Sequence, residues 1–118
     1  MKKILVVDDQ VGIRLLLKEV FKQEGYGVVL AMNGEEALKK MNKQIPDLII
    51  LDYQLPIMDG YTFVMKIKEI GLDIPTVIMS GLPDRAEERA KEMQMVKKII
   101  GKPFQLNDIR AIVRELLQ

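Results

Sequence analysis

Short apolar runs typical of buried strands alternate along this chain with longer stretches of helical periodicity. The clearest run spans residues 48–51, with a proline and an acid before it and Asp52 directly after it. An apolar run of this length between turn-forming residues is typical of a strand buried in a parallel sheet. Four further runs have the same character and span residues 3–7, 27–32, 75–79 and 98–101. Strand–helix alternation predicts a parallel sheet with right-handed crossovers and helices on both faces.

The length and the element order favour one domain. A chain of 118 residues can bury one core, so we predict a single domain over residues 1–118. Five strands and five helices in alternation predict a doubly wound, flavodoxin-like sheet with the strand order 2-1-3-4-5. In that order the chain changes direction between strands 1 and 3, and the crevice for ligands lies at the carboxyl ends of these two strands.

The first predicted helix spans residues 11–24 and has one apolar stripe. Gly25 is expected to end this helix. Helical spacing places Leu15 on the side opposite the stripe. The side chains expected to face the core are Ile13, Leu16, Leu17, Val20 and Phe21.

The other helices have recognisable start signals. Asn33 followed by Glu36 forms a capping-box pattern, and Asp84 followed by Glu87 forms another. The third helix is predicted over residues 61–70, with Phe63, Val64, Ile67 and Ile70 directed inward.

Composition excludes several kinds of protein. Eighteen basic and seventeen acidic side chains leave a net charge of +1, which indicates neither a nucleic-acid surface nor a polybasic membrane anchor. No apolar run approaches the length of a membrane span. Without cysteine or histidine the chain has no disulfide, thiol nucleophile, Ser-His triad or phosphohistidine of its own. We therefore expect a monomeric cytoplasmic protein, without a DNA-binding output because the chain ends after the fifth helix.

Polar side chains follow four of the predicted strands at the same edge of the sheet. Asp8, Asp9 and Asp52 would converge there, and a hard divalent cation such as Mg²⁺ would relieve their repulsion. Lys102 and Ser80 would supply a positive charge and a hydroxyl for a phosphoryl group. Each residue alone could be an ordinary loop residue, but together they suit phosphoryl transfer to a carboxylate.

These residues occur in motifs that resemble those of bacterial response-regulator receiver domains. The resemblance covers the whole chain and implies that Asp52 accepts a phosphoryl group from a histidine kinase. It also implies that Lys102 contacts this group, that Ser80 responds to it, and that the Lys102–Pro103 bond is cis. The motifs are Val7-Asp8-Asp9, Leu51-Asp52, Pro56-x-Met58-Asp59-Gly60, Met79-Ser80-Gly81 and Lys102-Pro103-Phe104.

The same resemblance implies a set of metal ligands. Asp9, Asp52 and the backbone carbonyl of Gln54 would bind Mg²⁺, and Asp8 would act through a metal-bound water. The chain departs from the family in three places. Ile99 replaces a common aromatic residue, which excludes an aromatic switch coupled to Ser80. Met95-Val96 stands where many receiver domains have Gly-Ala, and Gly81 stands where an alanine is common in them.

The start of the first helix resembles the docking segment of single-domain sporulation phosphorelay regulators. Gln10, Gly12, Ile13 and Leu16 match that segment, and Leu15 lies on the outer side of the same helix. The resemblance implies transfer of the phosphoryl group to a histidine-containing phosphotransferase. The alternative is a stand-alone receiver that binds a target protein when phosphorylated. A phosphohydrolase of small molecules is a third possibility, although one compact domain offers little to enclose a substrate.

Overall fold

A computed structural model describes the backbone of residues 1–118 and the side chains of residues 1–82 and 86–118. The described backbone forms five strands that alternate with five helices. The strands are β1 (Lys3–Val7), β2 (Gly27–Ala31), β3 (Leu48–Asp52), β4 (Thr76–Ser80) and β5 (Val96–Gly101). The helices are α1 (Val11–Gln23), α2 (Gly34–Lys43), α3 (Gly60–Glu69), α4 (Pro83–Ala90) and α5 (Leu106–Leu116).

All five strands are parallel and lie in the order β2-β1-β3-β4-β5. The flavodoxin-like fold predicted from the sequence is therefore confirmed. The central strands β3 and β4 are buried along their whole length. Strands β1 and β3 pair from Ile4 with Leu48 to Val7 with Leu51, so the residues that follow them reach the same edge of the sheet.

Helices on each face of the sheet bury one of two apolar clusters. One cluster lies under α2, α3 and α4, and the other lies under α1 and α5. Phe21 and Phe63 are the largest completely buried side chains, one in each cluster. The two clusters hold the sheet between the helical layers and leave its carboxyl edge to the loops.

Two apolar side chains predicted to face the core are exposed. Leu16 of α1 is 41% exposed, because the buried face of this helix is centred on Leu17, Val20 and Phe21 and Leu16 lies at its margin. Ile70 is 61% exposed, because α3 ends at Glu69 and Ile70 lies in its C-terminal cap. Helical spacing identified the buried face of α1 and of α3 but not where each buried face ends.

The helix ends follow the predicted signals with one difference. Gly25 follows Glu24, the C-terminal cap of α1, and adopts a φ of +93°, a conformation that glycine tolerates best. At the start of α2, the Asn33 side chain accepts a hydrogen bond from the Glu36 N–H at 2.8 Å. The Glu36 side chain accepts from the Met32 N–H rather than that of Asn33, so the capping box is shifted by one residue. The capping predicted for Asp84 lies outside the described side chains.

Ile57 lies at the tip of an unusual turn in the β3–α3 loop. Its φ is +72°, and the Met58 N–H donates to the Pro56 carbonyl at 2.7 Å. This combination is a γ-turn of the rare, strained kind. Positive φ is especially unfavourable for a β-branched side chain, and Ile57 is also 77% exposed.

We expect Ile57→Gly to stabilise the protein. Relief of the left-handed strain outweighs the greater freedom of glycine in the unfolded chain, for a net gain of about 1 kcal/mol. Urea unfolding monitored by circular dichroism measures this gain. Ile45→Gly, an exposed loop isoleucine without positive φ, is the control and should not stabilise. A lower midpoint for Ile57→Gly would show that contacts of the side chain outweigh the strain.

Candidate phosphoacceptor and metal site

Three carboxylates meet at the carboxyl edge of the sheet. One carboxylate oxygen from each of Asp8, Asp9 and Asp52 lies within 4.8 Å of the other two. Asp8 and Asp52 are buried, whereas Asp9 is exposed. Asp8 and Asp9 follow β1, and Asp52 ends β3, so parallel pairing of these strands brings the acids together. The predicted convergence of these side chains is confirmed.

Lys102 joins two of these acids. Its Nζ donates to Asp8 Oδ2 at 2.8 Å and to Asp52 Oδ2 at 2.9 Å. The Lys102 N–H also donates to the Ser80 carbonyl at 2.8 Å, which fixes the start of this side chain at the end of β4. The Lys102–Pro103 peptide is cis, as the sequence resemblance implied. The ammonium group therefore lies directly beside the Asp52 carboxylate.

The backbone around Asp52 is held from two sides. The Tyr53 N–H donates to the Met79 carbonyl of β4, and the Gly60 N–H donates to the Tyr53 carbonyl, both at 2.9 Å. A Cβ atom at Gly60 would lie 3.1 Å from Tyr53 Cα and 3.3 Å from the Asp52 carbonyl oxygen. The start of α3 therefore approaches this backbone more closely than a larger residue would allow.

The charge states of Asp52 and Lys102 are coupled. Burial raises the pKa of the Asp52 carboxyl above its usual value, although hydrogen bonds from Lys102 and the Gln54 N–H act in the opposite direction. Burial alone would lower the pKa of Lys102, but its hydrogen bonds to Asp8 and Asp52 outweigh that effect and raise it. Lys102 therefore stays protonated beside Asp52 at neutral pH.

Ser80 and Gln54 both contact the loops around the acids. Ser80 is buried, and its Oγ accepts a hydrogen bond from the Leu82 N–H at 3.0 Å. This bond leaves the hydroxyl proton free for another acceptor. The Gln54 N–H donates to Asp52 Oδ1 at 3.1 Å, which places the start of the β3–α3 loop against the carboxylate.

The predicted docking residues lie directly after Asp9 and in the first two turns of α1. The Gln10 N–H donates to Asp8 Oδ1 at 2.9 Å, so the segment begins at the acids themselves. Leu15 is exposed, as predicted, and Leu16 is exposed beside it, whereas Ile13 packs partly against the core. A Cβ atom at Gly12 would meet nothing within 4 Å, so the surface of this turn is open.

One polar contact of the site was not predicted from the sequence. The Arg14 Nη1 donates to the backbone carbonyl of Asp8 at 2.7 Å. Arg14 lies in the first turn of α1, directly after the loop that carries the acids. In a sequence, a basic residue one helical turn beyond an acidic loop is only a weak indication of such a contact, because most residues of this kind point into solvent.

The fold and these side chains define the receiver domain of a two-component response regulator. The chain belongs to the response regulator receiver domain family, whose model matches residues 4–114. It is 42% identical to sporulation initiation phosphotransferase F of Bacillus subtilis, over 98% of this chain and 94% of that protein. It is 36% identical to the B. subtilis alkaline phosphatase synthesis transcriptional regulatory protein PhoP, of which it spans 49%.

Solved structures agree with this assignment. The response regulator TrrA from Thermotoga maritima, in complex with Mg²⁺-BeF, is 34% identical and has a TM-score of 0.85. The alignment covers 98% of this chain and 99% of TrrA. The chemotaxis protein CheY4 of Vibrio cholerae is 27% identical with a TM-score of 0.90, and 98% of each chain is covered. Among the described residues, no helix has both the length and the apolar composition needed to cross a bilayer.

Proposed function

We propose that this receiver accepts a phosphoryl group from a phosphohistidine on Asp52 and passes it to a histidine of a second protein. The observation that carries this proposal is the Asp52 carboxylate, held 2.9 Å from Lys102 at the edge of the sheet. The carboxylate oxygen attacks phosphorus, the P–N bond to the donor imidazole breaks, and the released imidazole nitrogen keeps the electron pair. Lys102 balances charge on the phosphoryl oxygens. In the second transfer an acceptor imidazole attacks phosphorus, and Asp52 is the leaving group.

We further propose Mg²⁺ as the cofactor of this transfer. Asp9, Asp52 and the Gln54 carbonyl would bind it, with Asp8 acting through a coordinated water. Clustered carboxylates at an open edge of the sheet suit a hard cation that keeps part of its water shell. Bound Mg²⁺ would offset the negative charge of the three acids and of the incoming phosphoryl group. The complex of the similar protein TrrA with Mg²⁺-BeF supports the choice of metal.

The relay role extends the receiver chemistry to a second transfer step. Its support is the similarity to a sporulation initiation phosphotransferase over nearly the full length of both chains. The exposed leucines and the open Gly12 next to the acids also favour a partner that approaches along α1. The partners would be a histidine kinase and a histidine-containing phosphotransferase. A stand-alone receiver would share the docking of the kinase, so the two functions differ only in the second transfer, to a histidine-containing phosphotransferase.

Leu15→Ala tests the docking surface on α1. Leu15 is 56% exposed in the second turn of α1, the helix that begins two residues after Asp9. A partner histidine must approach Asp52 in line, so a docking surface on this helix would hold the partner near the acids. Loss of an apolar anchor at an interface costs more than about 1 kcal/mol, so transfer from a phosphorylated histidine kinase should slow by about tenfold. Labelling by acetyl phosphate needs no docking and should be unchanged. Radiolabel transfer measured under single-turnover conditions compares the two donors.

Ile45→Ala is the matched control for this experiment. Ile45 is 55% exposed but lies in the loop before β3, at the opposite edge of the sheet. It should leave both reactions at wild-type rates. If Leu15→Ala behaves like Ile45→Ala, the α1 surface does not dock the kinase. Wild-type protein that accepts phosphate but passes none to a histidine-containing phosphotransferase would favour the stand-alone signalling function.

A further inference from the structure

Asp9 differs from the other two acids of the site in how it is held. Asp8 accepts hydrogen bonds at both carboxylate oxygens, and Asp52 accepts from Lys102 and Gln54. The hydrogen bonds of the described side chains include none to the Asp9 carboxylate, which is exposed. The direction of this side chain therefore depends on the backbone that carries it.

Arg14 holds that backbone. Its Nη1 donates to the Asp8 carbonyl at 2.7 Å, and this carbonyl belongs to the peptide that joins Asp8 to Asp9. The Asp8 N–H donates to the Ala31 carbonyl of β2, and the Arg14 N–H donates to the Gln10 carbonyl. The guanidinium group therefore links α1 to the peptide that precedes Asp9. Hydrogen bonds hold the backbone on both sides of Asp9.

The partner of Arg14 is unusual for a charged group. Among residues with described side chains, Arg14 forms no ion pair within 4.0 Å, although three carboxylates lie on the neighbouring loop and strand. A charged donor to a carbonyl makes a stronger hydrogen bond than a neutral one. Arg14 is half-buried, so water competes less for this bond than at an exposed site.

We infer that Arg14 is a positioning residue for the metal ligand Asp9, acting through the Asp8–Asp9 peptide. This inference rests on the proposed Mg²⁺ site and adds a residue that does not contact the metal. Outer residues that orient metal ligands typically change metal affinity by 10–100-fold when they are replaced. When the plane of the Asp8–Asp9 peptide is held, the Asp9 side chain starts from a defined position. A metal ligand without hydrogen bonds of its own depends most on this constraint.

Arg14→Met is the principal variant, because methionine keeps an apolar stem and removes both the donor and the charge. We expect the Kd for Mg²⁺ to rise by about tenfold in isothermal titration. A purely electrostatic role predicts the opposite, since removing a positive charge near the acids should strengthen cation binding. Arg14→Lys keeps the charge and a donor, and should recover part of the affinity.

Acetyl phosphate labelling gives a second readout that needs no docking partner. Arg14→Met should label slowly at low Mg²⁺ and recover as Mg²⁺ is raised, which a general loss of folded protein would not produce. Arg110→Met is the matched control, because this α5 arginine contacts only Asn107 among the described hydrogen bonds. It should bind Mg²⁺ as wild type does.

The outcomes separate this inference from the metal site itself. Unchanged or tighter Mg²⁺ binding by Arg14→Met overturns the positioning role while leaving the site intact. Asp9→Ala should weaken binding at least as much as Arg14→Met, since it removes the ligand. Wild-type binding by Asp9→Ala would overturn the proposed ligand set, and the role of Arg14 with it.

Discussion

Asp52→Asn should abolish phosphorylation of this protein by both acetyl phosphate and a phosphorylated histidine kinase. The amide keeps the size of the side chain but is not a nucleophile, so labelling should fall by orders of magnitude to the detection limit. The fold should survive, because the amide oxygen can still accept the hydrogen bond from Lys102. Radiolabelling with acetyl phosphate, together with far-ultraviolet circular dichroism, measures both effects.

Asp47→Asn provides the matched control at the other end of the same strand. Asp47 precedes β3, and its carboxylate accepts a hydrogen bond from the Lys3 N–H at 2.8 Å. This variant should label at the wild-type rate. Wild-type label should also be released by hydroxylamine, as expected of an acyl phosphate. Hydroxylamine-resistant label that persists in Asp52→Asn would place the modification on another residue.

Lys102→Met should strongly destabilise the protein in the absence of metal. The substitution leaves Asp8 completely buried and Asp52 nearly so, each without its positive partner. Removing one member of a buried ion pair costs about 3–5 kcal/mol, and because Lys102 is partly open to water we expect about 2–4 kcal/mol. Urea unfolding in the presence of EDTA measures the loss. Mg²⁺ should stabilise this variant more than wild type, because the cation replaces the missing charge.

The pH dependence gives a second test of the same contact. The folded-state pKa of Lys102 is raised above its ordinary value of 10.5. Its contribution to stability is therefore fully present below pH 10.5 and is lost as the pH rises through the folded-state pKa. The stability difference between wild type and Lys102→Met should shrink over that alkaline range and stay constant at neutral pH.

Lys98→Met is the control, since it removes the same charge from an exposed position of β5. It should change stability by less than about 0.5 kcal/mol. Equal effects of Lys98→Met and Lys102→Met would mean that overall charge, rather than the bridge to Asp8 and Asp52, determines the loss.

The sequence alone determined the architecture and the approximate position of the site. Strand identity follows from apolar runs such as residues 48–51, and strand–helix alternation leaves few possible topologies. Because parallel strands end at the same edge, Asp8, Asp9 and Asp52 had to come together once the order of strands 1 and 3 was known. The exposure of Leu15 also followed from helical spacing, because it lies almost opposite the centre of the stripe.

Only the tertiary structure decided the limits of each buried face and the hydrogen-bond partners within the site. Leu16 and Ile70 lie where the packing of a helix against the sheet ends, and periodicity cannot locate that margin. The bridge from Lys102 to Asp8 joins residues 94 positions apart, and the positive φ of Ile57 depends on how its loop closes. The contact from Arg14 to the Asp8 carbonyl likewise depends on the path of the backbone between β1 and α1. Local sequence determines which elements form, whereas distances of a few ångströms between side chains depend on how the finished elements pack.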